Sequence, residues 1–433
     1  MGDDRPTRWY SGITRYQWLV LAIASLGWVF DVFEGQIFVA GQTKVLTELL
    51  PPGTAEGDIM SYGNLIHGFF LAGGAIGGVL FGVLSDRIGR VRTMVLTILV
   101  YSVFTGLSSL TQAWWQFAAC RFLVALGTGG EWAVASAFVA EVFPVRARAW
   151  SLAIFHASSV LGTYLAIVAG EFVIGNPALG WRWAFVIGAI PALLTLWART
   201  GLHESDAWRQ AQAADTAGDR PGVGGLFQGV LARRTLLGVA LATVGLATFW
   251  GMYIYGKDML SRAVEAVANP DTAAPDLHSW SMLGMLLVTT GGFLGSVSFG
   301  PMSEWLGRRG AFLVFHLGGV IAALLLFKVL SGVATVAVFL PVFGFWTLGM
   351  HAGYAIYFPE LYPTRLRSTG AGFCFNVGRL TAFPIVSLIG WVQRPATFNL
   401  SLPNAAALLS LLFLVGAALL VFAPETKGKE LAA

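Results

Sequence analysis

The sequence predicts an all-α membrane protein with twelve transmembrane helices in two pseudo-symmetric six-helix bundles, on three observations. Hydrophobic residues fill 56% of the 433 positions and charged ones only 12%, about half the charged share of a soluble domain, and the mean hydropathy is +0.69. A soluble core cannot absorb that much apolar surface. The apolar residues also fall into runs of roughly 20, the length that crosses a bilayer core. Finally, two motifs recur at nearly one offset. Gly82-Val-Leu-Ser-Asp86-Arg-Ile-Gly89-Arg90 returns as Gly300-Pro-Met-Ser-Glu304-Trp-Leu-Gly307-Arg308 after 218 residues, and Glu141-Val-Phe-Pro-Val-Arg146 returns as Glu360-Leu-Tyr-Pro-Thr-Arg365 after 219. Duplicated halves are the build of carriers that alternate access to a central site.

The spans follow in order. Apolar runs with aromatic or charged flanks predict helices near Tyr16–Ala40, Ile59–Leu84, Thr93–Leu110, Trp114–Val142, Ala149–Val173 and Trp181–Arg199 in the first half. The second half reads Thr235–Asp258, Ser279–Met302, Ala311–Leu330, Val333–Glu360, Leu366–Trp391 and Asn404–Ala423. The expected division is a cytoplasmic N-terminus at 1–15, bundles at 16–200 and 235–423, a linker at 201–234 and a tail at 424–433. With the N-terminus inside, 19 basic residues fall in inner segments against six in outer ones. That asymmetry places both termini in the cytoplasm of a cell whose plasma (inner) membrane holds the protein. Cys120 and Cys374 lie in apolar runs, which argues against a disulfide framework or a thiolate metal site. The polar start runs into the first helix without a cleavage pattern.

The loop after the second helix carries Asp86, Arg87, Gly89 and Arg90, and resembles the G-x-L-x-D-R-x-G-R-[RK] signature of the major facilitator superfamily. The resemblance covers essentially the whole chain. It implies a cytoplasmic gate in which Asp86 caps a helix N-terminus of the opposite half while Arg87 and Arg90 pair with carboxylates. The repeated Glu141, Arg146, Glu304, Arg308, Glu360 and Arg365 belong to the same gate. Arg121-Phe-Leu-Val-Ala-Leu-Gly-Thr-Gly-Gly-Glu131-Trp resembles the fourth helix of metabolite and aromatic-acid proton symporters. His203-Glu-Ser-Asp-Ala-Trp208 looks like a degraded P-E-S-P-x-W, and Pro424-Glu-Thr-Lys-Gly-Lys-Glu-Leu431 is similar to the ending of sugar porters. The seventh helix, Gly245–Tyr255, lacks the Gln-Gln and Asn with which sugar porters hold hydroxyls.

Each ionisable group inside a span costs about 2.5–3.5 kcal/mol on insertion scales and so needs a partner or a task. Asp31 and Glu34 lie three apart on one face of the first helix, in a spacing that resembles the D-G-x-D of aromatic-acid symporters. Two close carboxylates in a low dielectric do not both ionise readily, which makes a proton carrier; the bland alternative is permanent neutralisation by an arginine. Arg121 lies at a matching depth, and the sugar-porter resemblance pairs it with Asp31. Glu131, about 15 Å along the same helix from Arg121, is a second proton site or a protonated interhelical bond.

Arg379, near midplane on the eleventh helix with Asn376 one turn away, can clamp a carboxylate with its fork, or else pair with a protein carboxylate. Trp250, Tyr253, His351 and Tyr354 would wall that site for an aromatic or branched acid, where the alternative is ordinary packing. His67, His156 and His316 have no metal-ligand spacing. Gly251–Asp258 only approaches a P-loop, lacking the Ser or Thr and the preceding strand. The expectation is therefore a carrier rather than an enzyme, without cofactor, driven by the proton gradient. It would take a small organic acid and protons, with lipid and no nucleic acid as partner, and work as a monomer. A sugar or polyol symporter, an exporter and a non-transporting sensor stay open.

Overall fold

The computed structural model describes residues 8–176, 178–191, 197–198, 200–214, 222–268, 275–393 and 398–432. Residues 1–7 of the expected N-terminus, 192–196 and 199 of the expected sixth span, 215–221 of the linker and Arg394 lie outside them. The described residues are helical without strands: α1 Arg15–Leu49, α2 Glu56–Ile88, α3 Arg90–Ser108, α4 Trp114–Val142, α5 Val145–Ala157, α6 Ser159–Ala169, α7 Gly180–Ile187 and α8 Asp206–Ala213 come first. Then follow α9 Gly229–Glu265, α10 Leu277–Leu324, α11 Val333–Leu348, α12 His351–Leu361, α13 Arg367–Val392, α14 Leu402–Ser410 and α15 Leu412–Leu419.

Ten helical stretches among the described residues are long and apolar enough to cross a membrane. The count of twelve spans is reached because α10 holds two of them, joined at a kink where Gly307 has φ 80°, and because the sixth is described mainly as α7. Outward faces carry side chains suited to hydrocarbon, such as Leu110, Val338 and Phe172.

Local chemistry sets the ends. Thr14 and Gln17 form a reciprocal cap at α1, with Gln17 N–H donating to Thr14 Oγ1 at 3.2 Å and Thr14 N–H to Gln17 Oε1 at 2.9 Å. The helix runs nine residues beyond the expected Ala40, because the polar side chains there find partners: Lys44 Nζ donates to Ile174 O at 2.9 Å, and Glu48 accepts from Trp181 Nε1 at 2.6 Å and from Arg182. The expected fifth span is interrupted, with α5 and α6 meeting at Ser158 and a π-helical turn at Gly170–Ile174. The tenth is broken at Gly349–Met350, between α11 and α12.

The chain divides into two compact units. The first is Met1–Leu226 together with Phe358–Gly372 and Gly428–Ala433; the second is Phe227–Tyr357 with Phe373–Lys427. A cut at the linker would leave Phe358–Gly372 with the second half. The polar contacts of that segment, described below, account for its place in the first unit. The first unit has an aromatic core in which Phe117, Trp181 and Phe185 meet edge to face at 5.4–5.9 Å. In the second, Phe299, Phe312 and Phe315 cluster at 4.9–5.2 Å.

Each unit fastens a helix start in the same way. Gly89 turns the chain from α2 into α3 at φ 113°, a conformation that side-chain-bearing residues rarely adopt. The N–H groups of Arg90, Val91 and Arg92, which no helical carbonyl can reach, donate to Glu204 at 2.6, 3.1 and 3.3 Å. In the second unit, after the repeat-related Gly307, Arg308 and Arg309 N–H donate to Glu425 at 3.0 and 3.1 Å. Partial burial works against the charged form of Glu425. Backbone N–H groups of Lys427, Arg308, Arg309 and Thr426 outweigh it and hold the carboxyl below the ordinary glutamate range.

A depressed folded-state value means the cap stabilises fully above the unfolded value and is lost as pH falls through the folded one. Glu425→Gln should therefore lower thermal stability at neutral pH by about 1 kcal/mol and flatten the acid-side loss, as read by unfolding of the detergent-purified protein across an acid titration.

Candidate functional site

The first unit holds a polar core built from α1, α3 and α4. Glu34 is fully buried. Thr105 Oγ1 donates to its Oε2 at 2.6 Å, and Arg121 reaches it twice, Nη1 to the backbone oxygen at 3.1 Å and Nη2 to Oε2 at 3.4 Å. The Arg121 guanidinium also lies over the rings of Phe185 and Phe117, at 5.0 and 5.6 Å, so part of its surface is covered by π-faces instead of water. The resemblance gave Arg121 to Asp31. The ion pair drawn here is with Glu34, one turn further along α1, where Thr105 and a notch at Gly188 shape a place for the carboxyl. A methyl at Gly188 would strike Glu34 Oε1. Asp31 sits a turn earlier on the same helix and is likewise buried.

Glu131 is fully buried on α4. Its Oε2 meets Thr97 Oγ1 at 2.5 Å, and a methyl at Gly27 of α1 would stand 2.6 Å from its Oε1. No cationic group pairs with it among the described residues. Thr97 also donates to Met94 O at 2.8 Å. One hydroxyl proton cannot serve both acceptors, so the geometry suits a Glu131 that is itself the donor.

The end of the same unit where α2 turns into α3 is a network of charge. Arg90, without exposed surface, donates to Asp86 Oδ1 at 2.6 Å, to Glu141 at 2.7 and 3.2 Å and to Thr364 O at 2.8 Å. Arg367 Nη1 also donates to Glu141, at 2.8 Å, and its Nη2 to Ala432 O at 2.8 Å. Ser205 adds a bond to Glu141 at 2.5 Å. Asp86 accepts from Ser368 N–H at 3.2 Å, Thr369 N–H at 2.9 Å and Thr369 Oγ1 at 2.6 Å, thereby capping α13. Arg148 stands 3.9 Å from Glu360, while Arg87, Arg146 and Arg365 are exposed. In the second unit Glu304 pairs with Arg308 at 2.8 Å.

In the second unit aromatic side chains of α9 and α12 lie together. Phe249 of α9 lies 4.4 Å from the His351 ring and is stacked with Tyr253 at 6.1 Å; Trp250 and Tyr253 meet at 6.4 Å, and His351 and Tyr354 at 5.4 Å. His351 begins α12 directly after the break at Gly349–Met350. Tyr354 is fully buried, and its hydroxyl donates to Leu241 O at 3.0 Å, above Gly245, where a side chain would collide with it. That contact gives Tyr354 a packing role between α9 and α12. Asn376 is buried on α13, and the half-buried Arg379 lies over the Phe375 ring at 5.3 Å.

Sequence reasoning passed over Thr97, Thr105, Arg367, Glu204, Phe249 and Phe375. The threonines had one available signal, their spacing of eight on a span. Arg367 had another, as the basic neighbour of Arg365 in the repeated motif.

A family model described as Major Facilitator Superfamily matches residues 32–384. A probable 4-methylmuconolactone transporter of Cupriavidus pinatubonensis is 27% identical over 97% of this chain and 93% of its own length. A cis,cis-muconate transport protein of Acinetobacter baylyi is 28% identical over 78% of this chain and 80% of its own. The structure of the proton:xylose symporter XylE, bound to 6-bromo-6-deoxy-D-glucose, superposes with a TM-score of 0.76 at 18% identity, covering 96% of this chain and 98% of that one. At that identity the likeness speaks for the fold.

The Gly188 notch yields a test. Gly188→Ala should displace the Glu34 carboxyl, costing about 1–3 kcal/mol of stability and lowering transport. Shortening the acid in the same background, Glu34→Asp, should recover part of both, read by thermal unfolding and by uptake.

Proposed function

We propose, from the premise that this chain belongs to the Major Facilitator Superfamily and is a multi-pass membrane transporter, that it carries a small organic acid in symport with protons. The observation that carries the reading is the buried trio of Glu34, Arg121 and Thr105 with a second buried acid, Glu131, on the same bundle. A carboxylate held by an arginine at 3.4 Å can exchange that partner for a proton, which leaves the buried guanidinium to its remaining partners. Protonation of Glu34 frees Arg121, and loss of the proton restores the pair. The two states differ in local charge, as a bistable coupling element requires. Asp31 shares the load one turn away.

Arg379 supplies the positive end of the substrate site, with Asn376 beside it and Trp250, Tyr253 and His351 offering flat apolar surface. That chemistry suits a carboxylate on a planar or unsaturated carbon frame, and the relatives named for muconolactone and muconate support the same class. Release to either side follows alternating access, with the Asp86–Arg90–Glu141–Arg367 network as the gate that opens and closes. The charge asymmetry supports an inner-membrane setting with both termini cytoplasmic. A sugar or polyol substrate is the second reading, favoured by the ending Pro424–Leu431 and disfavoured by the seventh helix.

Radiolabelled muconate, benzoate and xylose presented to proteoliposomes, with and without an inward proton gradient, separate these readings. Gradient-driven acid uptake that is lost in Glu34→Gln supports symport; uptake indifferent to the gradient, or confined to xylose, sinks it. Arg379→Ala should weaken apparent acid affinity by roughly ten- to hundredfold, the 1.5–3 kcal/mol of a charged hydrogen bond, with Arg379→Lys in between. An Arg379→Ala protein with wild-type affinity would remove the clamp from the mechanism.

A further inference from the structure

We propose that one face of α3, the hydroxyl ladder Thr97–Tyr101–Thr105, is the route by which protons pass between Glu34 and Glu131 inside the first unit, with Tyr101 as the relay. The proposal rests on the proton-coupled reading above and names its path.

The three residues are spaced i, i+4, i+8, so they stack on one helix face over about 12 Å. All three are without exposed surface. The two ends of the ladder are already engaged with the two acids: Thr97 with Glu131 at 2.5 Å and Thr105 with Glu34 at 2.6 Å. Alignment of α3 against α4 is fixed by Gly127, where a methyl would stand 2.8 Å from Tyr101 N and 3.0 Å from its Cβ. Only a glycine lets the two backbones approach there. With the helices antiparallel, that contact sets Glu131 beside Thr97 and Arg121 beside Thr105, the latter pair at 3.5 Å.

The middle rung is the unusual one. Among the described residues the buried Tyr101 hydroxyl meets no hydrogen-bond partner, and the same holds for Glu34 Oε1, Glu131 Oε1 and Arg121 Nε. An unmet buried hydroxyl costs about 1–3 kcal/mol, which a phenylalanine of nearly the same shape would avoid. Among the unmet buried atoms of this unit, these four belong to the ladder's tyrosine, the two acids at its ends and the arginine beside Glu34, and so mark a place built for something other than packing. The charged groups that act on Tyr101 are Glu131 from α4 and Asp31 and Glu34 from α1, all acids.

The relay step conserves charge. The tyrosine oxygen accepts a proton from the protonated acid on one side, through a bridging water where the gap requires it. Its own O–H bond breaks as that proton passes to the carboxylate on the other side. The phenol is regenerated, and one proton has moved from one glutamate to the other.

Tyr101→Phe is the test, in proteoliposomes with whichever of muconate, gentisate and benzoate the wild type takes up fastest. Gradient-driven accumulation should fall at least about tenfold, a change of 1.4 kcal/mol, while exchange of labelled for unlabelled acid without a gradient stays within about twofold. Thermal unfolding should show a protein as stable as wild type or more so. Thr97→Val, which breaks the ladder at its inner end, should reproduce the split between accumulation and exchange. If accumulation survives in Tyr101→Phe, or if accumulation and exchange fall together in a stably folded protein, the relay is overturned while symport stands. A wild type indifferent to the proton gradient overturns both.

Discussion

Arg90 is a guanidinium with no exposed surface, and the end of the first unit where α2 turns into α3 is arranged around the need to satisfy it. A buried charge costs several kcal/mol unless it is paired and its remaining donors are used. Asp86 and Glu141 supply the charge, and the backbone oxygens of Ser85 and Thr364 take further N–H groups. Glu141 is shared with Arg367, so the cluster holds two cations and two anions. Each anion then does a second task. Asp86 lies in the last turn of α2 while capping α13, and Glu141 ties α4 to Ser205 in the segment before α8. Fixing one buried cation thus ties four chain segments together.

Much of this was legible in the letters, for physical reasons that differ by element. The spans were visible because hydrocarbon demands long apolar runs, and Asp86, Arg90 and Glu141 of the charged network because the duplicated motif marks them twice. Boundaries were less legible. Lys44 and Glu48 looked like loop residues, yet α1 continues past them because their partners, Ile174 O, Trp181 and Arg182, come from remote parts of the sequence. The break at Gly349–Met350 could not be read either, since one glycine in an apolar run marks a tight contact as often as a break. In the candidate site, the acids stood out as costly charges in a span. Their threonine partners did not, because a hydroxyl in a helix normally bonds its own preceding turn, as Thr93, Thr243 and Thr347 do here.

The choice between Asp31 and Glu34 as partner of Arg121 shows the limit of matching by depth. Depth along a helix is known from residue count to a few ångströms, about the rise between these two residues. What selects Glu34 is sideways: a threonine on α3 and a residue without a side chain at position 188. Small residues give no hydrophobic signal, so their role appears only when a methyl is imagined in their place. The same holds at Gly27 for Glu131 and at Gly127 for the approach of α3 to α4.

The capping carboxylates Glu204 and Glu425 bear on how the halves were inherited. The stretches that carry them, His203-Glu-Ser and Pro424-Glu-Thr, share little beyond the acid and a following hydroxyl. Yet each takes the first N–H groups of the helix that follows a left-handed glycine in its own unit. What the ancient copy has kept is a task, performed by a residue more than a hundred positions downstream of the helix it fastens. A half-molecule is therefore a complete part only when it includes its own trailing acid. A recombinant that exchanges halves between relatives would be sound when cut after that acid and unsound when cut before it.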